Sequence, residues 1–124
     1  MLDHDFFVRY YDAYASEDPE RLGQFYADDV TLLSAEGLIR GKGSLLDTYR
    51  YIVARFRDVM TPDTIIVDGD RAAIEITDRF EAKQGVPKFL GRSFAKGEVL
   101  TLKICCIYRV ENGKIYEIRI YSGG

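Results

Sequence analysis

Residues 98–121 have the sequence EVLTLKICCIYRVENGKIYEIRIY, which predicts a long β-hairpin. Apolar and β-branched residues dominate positions 98–110 and return at 115–121, as expected of two strands. Asn112-Gly113 lies between them, and this dipeptide favours a tight hairpin turn because both residues tolerate positive φ. The end of the chain is therefore predicted to be two adjacent antiparallel strands.

The segment before this hairpin also has the two-residue period of strands. Residues 65–67 are apolar, Asp68-Gly69 is a turn signal, and 72–82 predict a strand with alternating faces. A glycine-rich stretch at 83–97 predicts a loop. Its basic residues are Lys83, Lys88, Arg92 and Lys96. They could attract an anionic ligand or simply remain solvated.

The first half of the chain predicts three helices. Residues 3–16 have an aromatic face at helical spacing. Asp18-Pro19 predicts the start of a second helix, which carries Leu22, Phe25 and Tyr26, ends at 27–29 and precedes a strand at 30–33. Ser44 with Asp47 resembles a capping box that begins a third helix, and Pro62 is predicted to close this region. The apolar stripe of the third helix is Leu45, Leu46, Tyr49, Ile52, Val53 and Phe56.

This order of elements predicts an α+β fold, with helices segregated on one face of an antiparallel sheet. A length of 124 residues, 47% of them hydrophobic and 30% charged, suits one domain over residues 1–124 with one core and one site.

Composition also narrows the function. A net charge of -3 argues against a nucleic-acid surface, and no apolar run is long enough for a membrane span or resembles a signal peptide. Cys105 and Cys106 are adjacent, so in a strand they point to opposite faces and are poor disulfide partners. Free thiols predict a cytoplasmic protein. His4 is the single histidine, so neither a metal site nor a histidine base is expected.

The chain resembles the nuclear transport factor 2-like superfamily, which includes ketosteroid isomerases, SnoaL-like polyketide cyclases, limonene epoxide hydrolases and scytalone dehydratases. The resemblance covers nearly the whole chain and rests on Arg9-Tyr10, on residues 25–31 (FYADDVT), on Gly41 and on residues 108–115 (YRVENGKI). It implies a cystatin-like cone, in which three N-terminal helices pack on a strongly curved, mixed, mainly antiparallel sheet around an apolar pocket. It also implies a homodimer through the outer face of the sheet.

The same resemblance tests the chain against ketosteroid isomerase chemistry. Tyr10 matches the tyrosine that stabilises an oxyanion in that family, and Tyr26 and Tyr49 match its hydrogen-bond partners. The position of the catalytic base falls on Ser34, which cannot act as a carboxylate. The position of the second acid falls on Cys106, or on Cys105 if the hairpin is counted differently, and Cys106 is preferred because it shares the more apolar face of its strand. Steroid isomerisation is therefore not expected.

Asp78 is the most informative residue for chemistry. It shares a predicted strand face with Ile74, Ile76 and Phe80, so a carboxyl group lies among apolar side chains. Burial would raise its pKa and make it a candidate acid or base. The structural alternative is a bulge or strand end where Asp78 reaches water or an arginine.

Other members of the superfamily fit less well. Limonene epoxide hydrolases need an arginine and an aspartate on one strand face, whereas Asp78 and Arg79 are adjacent. Scytalone dehydratases have an aspartate where this chain has Ala15, and their histidines have no counterpart. The SnoaL-like group, whose active sites vary, remains the best match.

These considerations predict a cofactor-independent isomerase, cyclase or lyase that acts on a small hydrophobic carbonyl or cyclic compound. Asp78 and Tyr10 are the candidate catalytic residues, and the hydroxyl of Tyr14, one turn after Tyr10, is expected to meet the ligand. The alternative is a non-catalytic ligand-binding or dimeric interaction module in which the tyrosines only fill the core. The candidate substrate-binding residues are Tyr14, Tyr26, Tyr49, Phe56, Ile76, Phe80, Cys106 and Tyr108.

Overall fold

Helix α1 (His4–Ala15) begins where the Asp3 carboxylate accepts a hydrogen bond from the backbone N–H of Phe6 at 2.9 Å. A computed structural model describes residues 2–122, so the predicted domain ends at 1 and 124 lie outside the described range. The predicted amphipathic helix is confirmed. Its buried side chains are Phe6, Phe7, Tyr10, Tyr11, Ala13 and Tyr14.

Helix α2 (Pro19–Gly23) is capped by Asp18, which accepts from the backbone N–H groups of Glu20 and Arg21. The predicted start is therefore right. The predicted extent is wrong, because the chain turns extended at Tyr26 and strand β1 (Tyr26–Ser34) takes residues that were assigned to the helix. Tyr26 pairs with Ile115 in the last strand, and this pairing replaces a further helical turn.

Helix α3 (Lys42–Arg55) begins two residues before the predicted capping box. Its N-cap is Gly41 at φ 91°, and no side chain caps the helix. Positive φ is a conformation that glycine adopts without strain, which explains the position of this boundary. At the other end Phe56 is extended, at φ -133° and ψ 147°, so its placement in the helical stripe is wrong.

The main sheet contains one short strand of four residues and five strands of 9–13 residues. Strand β2 (Gly37–Arg40) is the short one, and it pairs with β1. Strand β3 (Phe56–Asp68) continues through Pro62, which lies at an irregularity in the pairing and does not end the strand. The other long strands are β4 (Arg71–Ala82), β7 (Val99–Glu111) and β8 (Lys114–Ser122).

The strand order β2-β1-β8-β7-β4-β3 confirms the mixed, mainly antiparallel sheet. Every neighbouring pair is antiparallel except β1 and β8. The predicted turn between the last two strands has both Asn112 and Gly113 at positive φ, 54° and 74°. The helices pack on the concave face of this curved sheet, which gives the expected α+β cone.

The predicted loop at 83–97 contains a small hairpin of strands β5 (Val86–Phe89) and β6 (Arg92–Phe94). It adds an aromatic cluster to one end of the cone, in which Phe56 contacts Phe80, Phe89 and Phe94 with ring centroids 4.7–5.8 Å apart. The main core lies between α1 and the concave face of the sheet.

Candidate functional site

A cavity of about 280 Å³ lies between the helices and the concave face of the sheet. Most of its wall is apolar and aromatic. Its exposed lining residues mark the mouth, and they are Ala35, Glu36, Thr48, Leu90 and Ser122. The predicted site residues that line it are Tyr10, Tyr14, Tyr26, Tyr49, Asp78, Phe80, Cys106 and Tyr108.

Two predicted substrate-binding residues are placed elsewhere. Phe56 and Ile76 are fully buried, but neither is among the residues that line the cavity. Phe56 packs in the aromatic cluster with Phe80 and Phe94, and Ile76 belongs to the main core. In this structure their apolar side chains pack in these clusters.

The most unusual feature of the cavity is a pair of buried carboxyl groups. Asp58 on β3 is 1% exposed and Asp78 on β4 is 3% exposed. In the β3–β4 register Asp58 is opposite Phe80 and Met60 is opposite Asp78, so the two aspartates are diagonal neighbours on the concave face. Their carboxyl groups are close enough that a proton held by one influences the pKa of the other.

A tyrosine from each of two helices orders this pair. The Tyr14 hydroxyl donates to Oδ2 of Asp58 at 2.7 Å, and the Tyr49 hydroxyl donates to the backbone carbonyl of Tyr14 at 2.5 Å. Oδ1 of each aspartate is buried and has no hydrogen-bond partner among the described residues. Both side chains line the cavity, so a ligand there meets this pair.

Burial sets the protonation of the pair. Loss of water around Asp78, together with the neighbouring Asp58 carboxyl group, holds the pKa of Asp78 well above its usual range. Burial also raises the pKa of Asp58, but the nearby Asp78 carboxyl group and the hydrogen bond from Tyr14 favour its ionised form. Two like charges this close cannot both be accommodated, so the pair holds one proton near neutral pH, on Asp78.

The remaining tyrosines form two separate hydroxyl pairs. Tyr10 bonds to Tyr26 at 2.7 Å and Tyr11 to Tyr108 at 2.7 Å. Burial raises the pKa of all four phenols, so they remain neutral. Tyr10 and Asp78 line one cavity but form no hydrogen bond with each other among the contacts of residues 2–122.

Two expectations about tyrosines need correction. Tyr49 does not join Tyr10 and Tyr26, because its hydroxyl is taken by the carbonyl of Tyr14. The hydroxyl of Tyr14 is not free to donate to a ligand, because it donates its hydrogen bond to Asp58. Tyr14 therefore positions the carboxyl pair.

The two cysteines lie on opposite faces, as adjacent strand residues must. Cys106 is buried and lines the cavity, whereas Cys105 is half-buried on the outer face. Burial raises the pKa of Cys106 to about 12. Cys106 is therefore a neutral thiol near pH 7 and a poor nucleophile.

Asp58 is the candidate site residue that sequence reasoning misses. The segment before Pro62 has the signals of a helix end followed by a break, and these signals mask the strand period. Phe56, Asp58 and Met60 do alternate with Arg57 and Val59, and this was the available signal.

The basic residues near the cavity do not enter it. Lys83, Lys88, Arg92 and Lys96 are all absent from the cavity lining, and Lys83 and Arg92 form ion pairs with Glu17 and Glu98. The suggested anion-attracting lip is therefore not part of the wall. Within residues 2–122 no three potential ligand side chains are grouped to hold a metal ion. None of the helices in this range is long and apolar enough to cross a membrane.

Comparison with known proteins agrees with this architecture. Residues 7–118 match the family described as SnoaL-like domain. No curated protein matches the chain by sequence.

Several solved structures share the fold at low sequence identity. A proposed polyketide cyclase of Silicibacter sp. TM1040 is 19% identical with a TM-score of 0.81, over 96% of this chain and 87% of that one. IdmH of Streptomyces antibioticus, another proposed polyketide cyclase, is 24% identical with a TM-score of 0.75, over 95% and 89%. An LEH-like epoxide hydrolase of M. tuberculosis is 18% identical with a TM-score of 0.77, over 96% and 80%. At these identities the likeness extends to the fold alone.

Proposed function

The chain belongs to the SnoaL-like domain family, and we propose that it is a cofactor-independent enzyme that moves a proton on a small hydrophobic carbonyl or cyclic compound. Isomerases, cyclases and lyases all use such a step. The observation that carries this proposal is the buried Asp58–Asp78 pair in the wall of an apolar cavity. Carboxyl groups with raised pKa values in a cleft are typical of acid–base sites.

The two carboxyl groups would divide the chemistry between them. Asp58, ionised and held by the Tyr14 hydroxyl, takes the proton from the carbon next to the carbonyl. Asp78, protonated, gives its proton to the carbonyl oxygen. The C–H electron pair becomes the C=C bond of an enol, and the former C=O electrons bind the new O–H proton. In isomerisation, Asp58 gives its proton back at another carbon while Asp78 recovers the O–H proton. In cyclisation, the enol carbon attacks a second carbonyl of the same substrate, whose oxygen takes the proton of Asp58, while Asp78 recovers the O–H proton.

The cavity supports a small, mostly apolar substrate. Its volume of about 280 Å³ is near the lower limit of pockets that take drug-sized molecules. Tyr10 and Tyr26 lie on another part of the wall. One of their two O–H groups donates the hydrogen bond between them, so the other can donate to a substrate oxygen. In this proposal Tyr10 orients the substrate and the aspartates react with it.

Exchange of carbon-bound hydrogen tests the proposal without knowledge of the natural substrate. We expect the protein in D₂O to accelerate exchange at the carbon next to the carbonyl of 2-tetralone, followed by mass spectrometry. Asp58→Asn and Asp78→Asn should each lower the enzymatic rate by about 10²–10⁴-fold, the usual contribution of a positioned acid or base. Asp47→Asn is the matched control, since Asp47 is 78% exposed on α3. Folded Asn variants that exchange as fast as wild type would refute the proposal.

We also propose a cytoplasmic homodimer. The two unpaired thiols favour a reducing compartment.

On the outer face of the sheet, Ile66, Ala73 and Ile107 lie side by side across three strands, and Ile66 is 59% exposed. Light scattering should give twice the monomer mass for wild type and a monomer for Ile66→Lys.

A further inference from the structure

All the acidic groups of the cavity lack a basic counterpart. The ionisable lining residues are Glu36, Asp58, Asp78, Cys106 and the tyrosines, and no lysine, arginine or histidine of the described chain lines the wall. The other titratable groups that face the carboxyl pair are Tyr14 from α1, Tyr49 from α3 and Cys106 from β7, and raised pKa values keep all three neutral near pH 7. A pair with one proton therefore leaves a net negative charge in the wall.

The arginines next to the pair do not balance that charge. Arg57 adjoins Asp58 in sequence, but strand alternation turns it away, to the carbonyl of Ala15 at 2.8 Å and the carboxylate of Glu17 at 3.5 Å. Arg79 adjoins Asp78 and pairs with Glu81 at 3.1 Å. Proteins ordinarily pair a buried charge, since an isolated one is costly. Here each available arginine faces outward, and the buried charge is open only to the cavity.

We propose that the ligand of this cavity carries a cationic nitrogen, as a protonated hydrophobic amine does. Its charged nitrogen would lie against the carboxyl groups of Asp58 and Asp78, whose side chains line the cavity. The rings of Tyr14 and Tyr49, whose centroids are 5.0 Å apart, also line the cavity, and aromatic rings attract organic cations. The apolar remainder of the wall would hold its hydrocarbon part.

An organic cation fits better than a metal ion. Two carboxyl groups provide few of the six to eight oxygen ligands that calcium takes, and the described residues supply no third acidic or histidine ligand nearby. Glu36 at the mouth adds negative charge along the entry path. A ligand carboxylate or phosphate would be repelled at both places.

This inference deepens the proposed function and rests on it only in using the same carboxyl pair as the site. It names a feature of the ligand, a cationic nitrogen, and it requires binding but no turnover.

Calorimetry with two soluble probes tests the inference. N,N-dimethylbenzylamine is protonated at neutral pH, whereas N,N-dimethylbenzamide has a similar skeleton without the charge. We expect wild type and the surface control Asp47→Asn to bind the amine at least tenfold more tightly than the amide. The double variant Asp58→Asn with Asp78→Asn should reduce this preference to less than threefold.

Each outcome decides the matter. Equal or tighter binding of the amide by wild type overturns the inference, and this measurement does not depend on whether the double variant folds. A folded double variant that keeps the preference also overturns it, as does displacement of the amine by equimolar calcium chloride. An amine preference without exchange of 2-tetralone would leave the ligand class standing and refute the enzyme. Exchange of 2-tetralone without an amine preference would support the enzyme and refute the ligand class.

Discussion

Replacing Asp78 with asparagine should make the protein more stable at neutral pH but not in acid. The side chain is 3% exposed and lies close to the carboxyl group of Asp58. Asparagine has nearly the same shape, and its amide N–H can donate to Asp58 as the O–H of the protonated acid can. The substitution therefore keeps the local contact and removes the requirement to hold a proton.

The size of the effect follows from proton linkage. Asp78 has a folded pKa well above the ordinary value of 3.8, so the folded protein keeps a proton that the unfolded chain releases. Its contribution to stability is fully present below the unfolded pKa and is lost as pH rises toward the folded pKa. One proton is worth about 1.4 kcal/mol per pH unit. Three units from pH 4 to 7 give roughly 4 kcal/mol as an upper limit, and relaxation of the site reduces this to about 2–4 kcal/mol.

Urea unfolding at a series of pH values measures this directly. We expect wild type and Asp78→Asn to have nearly equal free energies of unfolding at pH 4, with the variant ahead by about 2–4 kcal/mol at pH 7. The m-values should agree, since the surface exposed on unfolding is the same. Asp47→Asn should run parallel to wild type at every pH. A constant difference between wild type and Asp78→Asn across the series would show that Asp78 titrates normally and would refute our account of the site.

Three further predictions concern single side chains. Tyr14→Phe should lower the free energy of unfolding at pH 7 by about 1–3 kcal/mol, because Asp58 loses its hydroxyl donor. The loss should be smaller at pH 4, where both carboxyl groups are protonated. Equal losses at both pH values in urea titrations would contradict this. Tyr26→Phe should cost only about 0.5–1.5 kcal/mol at either pH, since its partner Tyr10 is neutral; a loss that varied with pH in the same titrations would argue against it. Iodoacetamide at pH 8 should modify Cys105 before Cys106, because Cys106 is buried with a pKa of about 12. Peptide mass spectrometry measures the order of labelling, and faster labelling of Cys106 would place it outside the core.

The elements that sequence reasoning placed best are those whose signal is local. The Asn112-Gly113 turn and the β4 alternation depend on a few neighbouring residues, and both are present as predicted. The errors occur where a distant partner decides. Tyr26 has good helical spacing after Leu22, but it becomes a strand residue because it pairs with Ile115, which is far away in sequence. The β5–β6 hairpin is likewise stabilised by packing against Phe56 and Phe80, which its own composition does not reveal.

The candidate site was half predictable for the same reason. Asp78 lies within a regular alternation, so its burial followed from the pattern of its own strand. Asp58 lies between a helix end and Pro62, where local signals indicate a break, and its strand conformation comes from pairing with β4. A carboxyl group alone on an apolar face would suggest a ligand or a structural ion pair equally well. The second carboxyl group is brought next to the first by a twelve-residue antiparallel ladder. Because this neighbour is also acidic and both flanking arginines turn outward, the burial of Asp78 is not that of one partner in an ion pair.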